Sequence, residues 1–352
     1  MAYSGTVGQT VINVQTLIDH GARRAGKLAE ELTDEQVVSA RESLYYILSN
    51  LINIGIQYWA IDKKVYGLQP DKYEYLLPVG GVDVLNALYR TMNRPTGSYS
   101  ASSGQAAYAF DNDVATIDVQ TAPNGNIAVD FGVNQPVYAG SIGILPGTSG
   151  DFHILLEVSV DGITWDLLED TGVTTWVDGE WLWYDIDPGA SVQFYRMRET
   201  GGNTLAVREF YVGNNSREIT MSRLNRDDYT NLPNKNFTAN QPYQFWFNRT
   251  IPQATITLWP APSDPFIQMT VWYSRQIMDV GDLTDELEIP QRWYLAIQCM
   301  LAHQMAQELP GVDVARIQYL EGQAEKYFNQ AEQEERDKSP IYYAPNISVY
   351  TR

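Results

Sequence analysis

The chain has 352 residues, of which 44% are hydrophobic, 12% aromatic and 19% charged. This composition predicts a folded protein of two or three domains and argues against a disordered chain or a coiled coil. The single cysteine, Cys299, excludes disulfide frameworks and cysteine-based zinc sites, and the three histidines are scattered, so we expect neither a metal nor a cofactor.

The net charge of −19 argues against a surface that binds DNA by neutralising phosphates. Residues 94–213 hold 16 Asp and Glu against 4 Lys and Arg, a net charge of −12, whereas residues 1–93 carry −2 and residues 214–352 carry −5. Such a step indicates a separate module, although an acidic β-domain surface explains it equally well. The opening residues lack the basic-then-apolar order of a signal peptide, and no apolar run is long enough to cross a bilayer, so we expect a cytosolic chain that contacts no membrane.

Two helices joined by a short loop are predicted near the N-terminus. Asn13 is placed to cap the first helix and Gly26 to end it, with apolar residues between them at helical spacing. Thr33 and Gln36 fit a capping box at the start of the second helix, which is predicted to run to about Ile54.

Strands are predicted to follow these helices. Lys63–Leu68 and Tyr73–Leu77 are predicted to pair as a hairpin, with a further strand over residues 82–90. Residues 92–105 are rich in Ser and Gly and are predicted to form a linker.

Residues 106–213 alternate short β-branched and aromatic runs with Gly, Asp and Asn turns, which is the pattern of an all-β sandwich or jelly roll. Strands over residues 243–273 are predicted to follow one another as a meander. Two helices then return, one beginning at Pro290 and one running from about Asp313 to Arg336.

The segment 339–352 contains two prolines and is nevertheless rich in apolar and aromatic residues. A solvated tail is normally polar, so this one is predicted to bury its side chains against a partner. The alternative is that the tail folds back onto its own β-domain. The side chains concerned are Ile341, Tyr342, Tyr343, Ile347, Val349 and Tyr350.

Trp181 and Trp183 flank Leu182 and therefore share one face of a strand. If that face is exposed, the two indoles are candidates for stacking on sugar rings; if it faces inward, they are ordinary packing residues.

No catalytic constellation is evident in the sequence. Neither a phosphate-binding glycine loop nor a Gly-x-Ser-x-Gly elbow occurs in the chain. Cys299 lies in an amphipathic helix, where a packed thiol is the commoner finding. We assign no catalytic residue and expect no enzyme, while a glycoside hydrolase with an unidentified carboxylate pair remains a third alternative.

Short runs in the outer segments keep a fixed order along the chain: Leu17–Gly26, Leu32–Gln36, Ala40–Leu44, Asn53–Trp59, Tyr75–Pro78, Ser222–Tyr229, Asn248–Arg249, Thr257–Pro262, Ile289–Trp293 and Leu301–Ala306. In this order they resemble the head-to-tail adaptor, or head-completion, proteins of short-tailed phages. The resemblance implies a ring, commonly of twelve copies, between the portal protein and the tail nozzle or tube. DNA is expected to pass through its channel without specific binding. The implied location is the head–tail interface of the virion, and the host cytoplasm during assembly.

Further runs in the middle segment form a second pattern: Ala109–Asp113, Ile127–Gly132, Leu156–Trp165, Tyr195–Arg198 and Val207–Gly213. These runs resemble discoidin-like carbohydrate-binding jelly rolls, the fold shared with coagulation-factor C domains. Members of that family often bind glycans or carry a structural calcium.

The sequence therefore predicts an α+β chain. Residues 1–93 and 214–338 are predicted to form an adaptor domain, in which N- and C-terminal helical hairpins make a helical bundle beside a small antiparallel β-part. Residues 94–213 are predicted to be an inserted jelly-roll sandwich, and residues 339–352 an extended tail that binds the portal. Besides the glycoside hydrolase, two functions stay open: a connector ring with a peripheral glycan-binding-like domain, or a carbohydrate-binding module or host-surface adhesion protein.

Overall fold

The computed structural model describes residues 12–54, 58–93, 96–215, 218–278 and 281–335. The chain divides into two compact units. The helical unit comprises Met1–Ile61 and Arg275–Arg352, and the strand unit comprises Asp62–Ser274. No helix in the described ranges is both long enough and apolar enough to cross a membrane.

Five α-helices occur in the described residues: α1 (Val14–Ala25), α2 (Asp34–Ile54), α3 (Arg226–Thr230), α4 (Tyr294–Glu308) and α5 (Val314–Glu335). The caps predicted for α1 are present. The Asn13 side chain accepts a hydrogen bond from the amide of Thr16, and Gly26 ends the helix with a φ of 96°. Gly26 suits that left-handed position because it has no Cβ.

The capping box predicted for α2 is also confirmed. The amide of Gln36 donates to Thr33 Oγ1 at 3.3 Å, and the amide of Thr33 donates to Gln36 Oε1 at 3.0 Å. These two bonds satisfy amides that the first helical turn leaves without partners.

The helical unit has a core of its own, to which both ends of the chain contribute. Helix α4 packs against α1, α2 and α5. Ile18 of α1, Leu44 of α2 and Leu301 of α4 are fully buried in this core. Trp293, just before α4, packs against Trp59 with a ring-centroid distance of 5.6 Å. Residues from both chain ends are therefore needed to complete this core.

The described residues of the strand unit form four sheets. Its strands before residue 150 are β1 (Ile61–Gly67), β2 (Glu74–Leu76), β3 (Gly81–Asn93), β4 (Ser98–Ala101), β5 (Asp118–Val119), β6 (Asn126–Asp130) and β7 (Ser141–Pro146). The later strands are β8 (Gly150–Ser159), β9 (Asp166–Trp176), β10 (Leu182–Asp185), β11 (Phe194–Glu199), β12 (Ala206–Asn215), β13 (Ile219–Thr220), β14 (Ser222–Leu224), β15 (Thr238–Ala239), β16 (Gln244–Asn248), β17 (Thr255–Trp259), β18 (Ala261–Pro262) and β19 (Ile267–Arg275).

The largest sheet has the order β1-β19-β3-β12-β7-β10, with β13 beside β3 and β5 beside β12. The second has the order β4-β6-β11-β8-β9, the third β14-β16-β17-β2, and β15 pairs with β18. The predicted segment 94–213 lies within the strand unit. The strands that lead into it and out of it, β3 and β12, pair side by side and antiparallel.

Three local predictions are wrong. Strands β1 and β2 do not form a hairpin, because β1 pairs with β19 and β2 pairs with β17. The proposed linker contains β4, whose backbone pairs with β6. Strands β16 and β17 pair as expected, but β19 belongs to another sheet, so the meander is incomplete. In each case a partner distant in sequence overrides the local pattern.

Two sheets face each other in the middle of the strand unit. Ile127 and Tyr195, from the second sheet, and Ile144 and Phe210, from the largest sheet, are fully buried in one shared core. The inward residues of β11 alternate with half-buried ones, which is the period of a strand with one face in a core. A β-sandwich is therefore present, and the chain as a whole is mixed α and β, with strands predominating.

Candidate functional site

The two tryptophans singled out in the sequence lie together in the strand unit. The rings of Trp181 and Trp183 are stacked, with centroids 4.8 Å apart and an interplanar angle of 21°. Both side chains are half-buried. Trp183 also meets Tyr211 edge-on at 5.4 Å, and Trp181 meets Phe266 edge-on at 6.2 Å. The sequence argument placed the two indoles on one face, and they do form one aromatic cluster.

Two glycines let these indoles lie directly against the backbone. A Cβ atom added to Gly67 would stand 2.2 Å from Cβ of Trp181. A Cβ added to Gly143 would stand 2.2 Å from a ring carbon of Trp183. Neither glycine has the positive φ that would otherwise explain its presence. Close approach of an aromatic ring therefore accounts for both glycines.

A groove of about 770 Å³ opens beside this cluster. One wall comes from β1 and the residues after it: Lys64, Val65, Tyr66, Gly67, Gln69, Lys72, Glu74, Tyr75 and Leu76. The other wall comes from the end of β9 and from β10 with its approach: Thr174, Glu180, Trp181, Leu182, Trp183 and Tyr184. All of these residues belong to the strand unit, and we call this cleft the aromatic groove.

The hydroxyl groups on the first wall are held in fixed positions. Tyr66 donates to the carbonyl oxygen of Leu76 at 2.9 Å, and the Tyr75 hydroxyl accepts from the amide of Gln69 at 2.9 Å. Burial raises the pKa of Tyr75 to about 12 and raises that of Tyr66 as well. Both phenols are therefore protonated at neutral pH, so they present neutral polar groups in the groove.

The rim of the aromatic groove is charged. Lys72 lies 3.5 Å from Glu180 and 5.3 Å from the ring centre of Tyr75. Lys64 is exposed and has no ion pair with any residue that the structure describes. Glu74 is also exposed on this rim. Aromatic surface thus lies within reach of both positive and negative hydrogen-bonding groups.

One polar atom of the cluster lacks a protein partner. The indole Nε1 of Trp183 is buried and has no hydrogen-bond acceptor among the described residues. A buried N–H without an acceptor costs free energy, and the core residues Trp176 and Trp293 have indole nitrogens in the same condition.

A second partly exposed aromatic side chain lies outside the aromatic groove. Trp165 is half-buried, and the guanidinium of Arg196 lies 3.9 Å from its ring centre. Glu157 accepts hydrogen bonds from Arg196 at 2.8 Å and from Arg198 at 2.7 Å. Burial opposes ionisation of Glu157, but the bonds from Arg198 and Arg196 outweigh it and lower its pKa. The alternation of arginines on β11 was the available signal for a polar outer sheet face.

The remaining predicted site residues are the tail side chains, and they lie outside the described residues. These are Ile341, Tyr342, Tyr343, Ile347, Val349 and Tyr350.

Catalytic and metal-binding groups were also sought in the described ranges. No group of three His, Cys, Asp or Glu side chains there is arranged to hold a metal ion. Cys299 is fully buried, and burial raises the pKa of its thiol. His303 hydrogen-bonds to Gln307 at 2.9 Å rather than to Cys299. The thiol is thus a packed side chain, as the sequence indicated.

Comparison with known proteins gives matches among solved structures. No protein-family profile matches the chain, and no curated protein does. A family 32 carbohydrate-binding module from a family 31 glycoside hydrolase of Clostridium perfringens is 19% identical, with a TM-score of 0.30 over 35% of this chain and 98% of the module. The family 32 module of C. perfringens NanJ, solved with galactose, is 18% identical, with a TM-score of 0.29 over 35% of this chain and 98% of the module. A C. perfringens module solved with GalNAc-β-1,3-galactose is 16% identical, with a TM-score of 0.29 over 33% of this chain and 94% of the module. All three are carbohydrate-binding modules, the class that the middle segment resembles, and none is a phage connector.

Proposed function

We propose that the chain binds a carbohydrate in the aromatic groove, without catalysing a reaction on it. The observation that carries the proposal is the stacked pair of Trp181 and Trp183 in the wall of a groove of about 770 Å³. Binding sites for small molecules are typically apolar clefts with a few polar groups that fix orientation. The charged rim and the neutral phenols of this groove supply those polar groups.

A sugar matches this combination of surfaces. Its C–H faces are apolar and pack against aromatic rings, while its hydroxyl groups need donors and acceptors around the edge. Lys64 and Lys72 supply donors on the rim, and Glu74 supplies an acceptor.

The first experiment is a glycan array with the full chain, followed by calorimetric titration of each glycan that binds. We expect the Trp181→Ala, Trp183→Ala double variant to weaken binding at least about 10-fold, because buried tryptophans dominate recognition surfaces. Trp165→Ala is the matched control, since that indole lies outside the aromatic groove, and it should leave the affinity unchanged.

A second variant separates binding from folding. Lys64→Ala removes an exposed side chain that forms no ion pair with the described residues, so it should not disturb the fold. We expect this substitution to lower the affinity for the same glycans several-fold, because the hydrogen bond from Lys64 to the sugar is lost. A blank array, or equal affinity in all four proteins, contradicts the proposal.

A connector ring is the second proposed function. The observation that favours it is the core of the helical unit, which joins α1 and α2 to α4 and α5 from the opposite end of the chain. The adaptor resemblance implies such a helix–strand–helix order. We propose that the chain forms a homo-oligomeric ring that binds the portal and the tail nozzle or tube at the virion head–tail interface. The adaptor resemblance implies twelve copies in this ring.

Imaging tests the ring directly. Negative-stain micrographs of the purified chain with its portal should show closed rings, because side-to-side contacts that close by rotation generate them. Truncation after Lys338 should abolish assembly onto the portal and leave the thermal midpoint unchanged, if the apolar tail binds the portal. Monomers with and without the portal contradict the ring, and retained assembly with a lowered midpoint contradicts the role of the tail.

A further inference from the structure

A basic cleft lies in the helical unit, separate from the aromatic groove. Its volume is about 670 Å³. The residues that line it come from α1 and from the start of α5: His20, Arg23, Arg24, Asp313, Ala315, Arg316, Tyr319 and Leu320. Three guanidinium groups thus share one cleft, in a chain whose acidic residues outnumber its basic ones by 43 to 24.

Among the described residues, no carboxylate forms an ion pair with these three arginines. Arg23, Arg24 and Arg316 form no ion pair with any residue that the structure describes. Asp313 lines the same cleft and likewise forms no ion pair there. The lining therefore carries three positive charges against one negative charge. Like charges gathered in one cleft repel one another, and an anion relieves that repulsion.

Two of the guanidinium groups are held in place. Arg24 Nη1 donates to the buried Sγ of Cys299 at 3.2 Å. Arg316 Nε donates to the carbonyl oxygen of Arg24 at 2.8 Å. The Arg316 guanidinium lies against Gly26, where a Cβ would stand 2.9 Å from Nη1. Anchored arginines lose less conformational freedom when they bind a ligand.

Structural roles account for only part of this arrangement. Arg23 and Arg24 stand in the last turn of α1, where positive charge complements the helix dipole. Arg316 caps a carbonyl of the same turn through Nε alone. Neither role uses the remaining guanidinium donors, and neither explains why an exposed Tyr319 lines the same space.

We propose that the basic cleft binds a phosphoryl group, either free phosphate or the phosphodiester of a nucleic acid strand. Guanidinium groups bind such oxyanions by paired N–H···O bonds, and several of them together favour a group with more than one charged oxygen. Arg23 and Arg316 supply the donors from opposite walls, Arg24 adds a third guanidinium, and the Tyr319 hydroxyl provides one neutral donor.

The test is calorimetric titration of the full chain with inorganic phosphate at low ionic strength, alongside titration with a short single-stranded oligonucleotide. We expect binding that weakens at least about 10-fold in the Arg23→Gln, Arg316→Gln double variant. Binding should also weaken as NaCl is raised to about 0.5 M, because dissolved salt screens the attraction between the guanidinium groups and the phosphoryl group. Arg226→Gln, an exposed arginine of α3, is the matched control and should bind as the unmodified chain does.

The two titrations distinguish free phosphate from a nucleic acid strand as the ligand. Binding of phosphate identifies the free ion, whereas binding of the oligonucleotide alone identifies a phosphodiester. Arg23→Gln by itself keeps the test valid if the double variant unfolds, because the Arg23 side chain has no hydrogen bond or ion pair among the described residues. Absence of binding in both arms overturns the proposal, as does equal binding by every variant.

Discussion

Replacing Trp176 with alanine is expected to lower the free energy of unfolding of the strand unit by about 3–5 kcal/mol. Trp176 ends β9 and is only 1% exposed. Its ring stacks on Phe152, with centroids 4.3 Å apart, inside the core between the two facing sheets. Removal of the indole leaves a cavity that the surrounding strands only partly fill, so both the transfer free energy and the packing contacts are lost.

Chemical denaturation followed by tryptophan fluorescence and by circular dichroism measures this loss. Val177→Ala is the matched control, because Val177 follows directly in sequence and is 46% exposed. It should change the free energy by no more than about 0.5 kcal/mol. A change of less than about 1 kcal/mol in the Trp176 variant would mean that the core tolerates the cavity, contrary to the packing seen here.

Replacing Arg90 with methionine is expected to lower the free energy of unfolding of the strand unit by about 1–3 kcal/mol. The Arg90 side chain is 4% exposed and lies 2.9 Å from Asp185 and 3.5 Å from Glu218. It also donates to the buried Gln268. Methionine keeps much of the volume but removes the donor to the buried Gln268 and the cation beside Glu218, whereas Asp185 keeps its ion pair with Lys63. A buried acceptor that loses its donor is unfavourable.

Arg223→Met provides the comparison for Arg90. Arg223 pairs with Asp83 at 2.8 Å, but its side chain is 45% exposed. Solvent screens that pair, so its loss should lower the free energy of unfolding by only about 0–1 kcal/mol. Thermal and urea unfolding of the two variants should therefore differ clearly. Equal midpoints would show that burial does not increase the cost of losing Arg90.

Local signals in the sequence predicted local structure well. The caps of α1 and the capping box of α2 depend on residues three or four positions apart, and both are present. Strand pairing depends on residues far apart in the chain, which explains the failure of the predicted hairpin. Strand β4 was hidden in a Ser- and Gly-rich stretch, since its backbone pairing with β6 leaves little trace in side-chain character.

The candidate sites show the same division. Alternation around Leu182 indicated that Trp181 and Trp183 lie side by side, and their rings stack, because this spacing is local. The wall of the aromatic groove that faces these indoles comes from β1, more than a hundred residues earlier, and no local pattern connects the two. The basic cleft joins α1 to α5 from opposite ends of the chain, so its arginines were unremarkable in sequence.

The shared core of the helical unit has a consequence for synthesis on the ribosome. Helices α1 and α2 are made first, yet α4 and α5, which cover their apolar faces, emerge only after the whole strand unit has been translated. At roughly 5–20 residues per second, the wait is on the order of 10–40 s. The nascent N-terminal hairpin is thus exposed throughout that interval, which makes it a natural substrate for chaperones that bind apolar helices during translation.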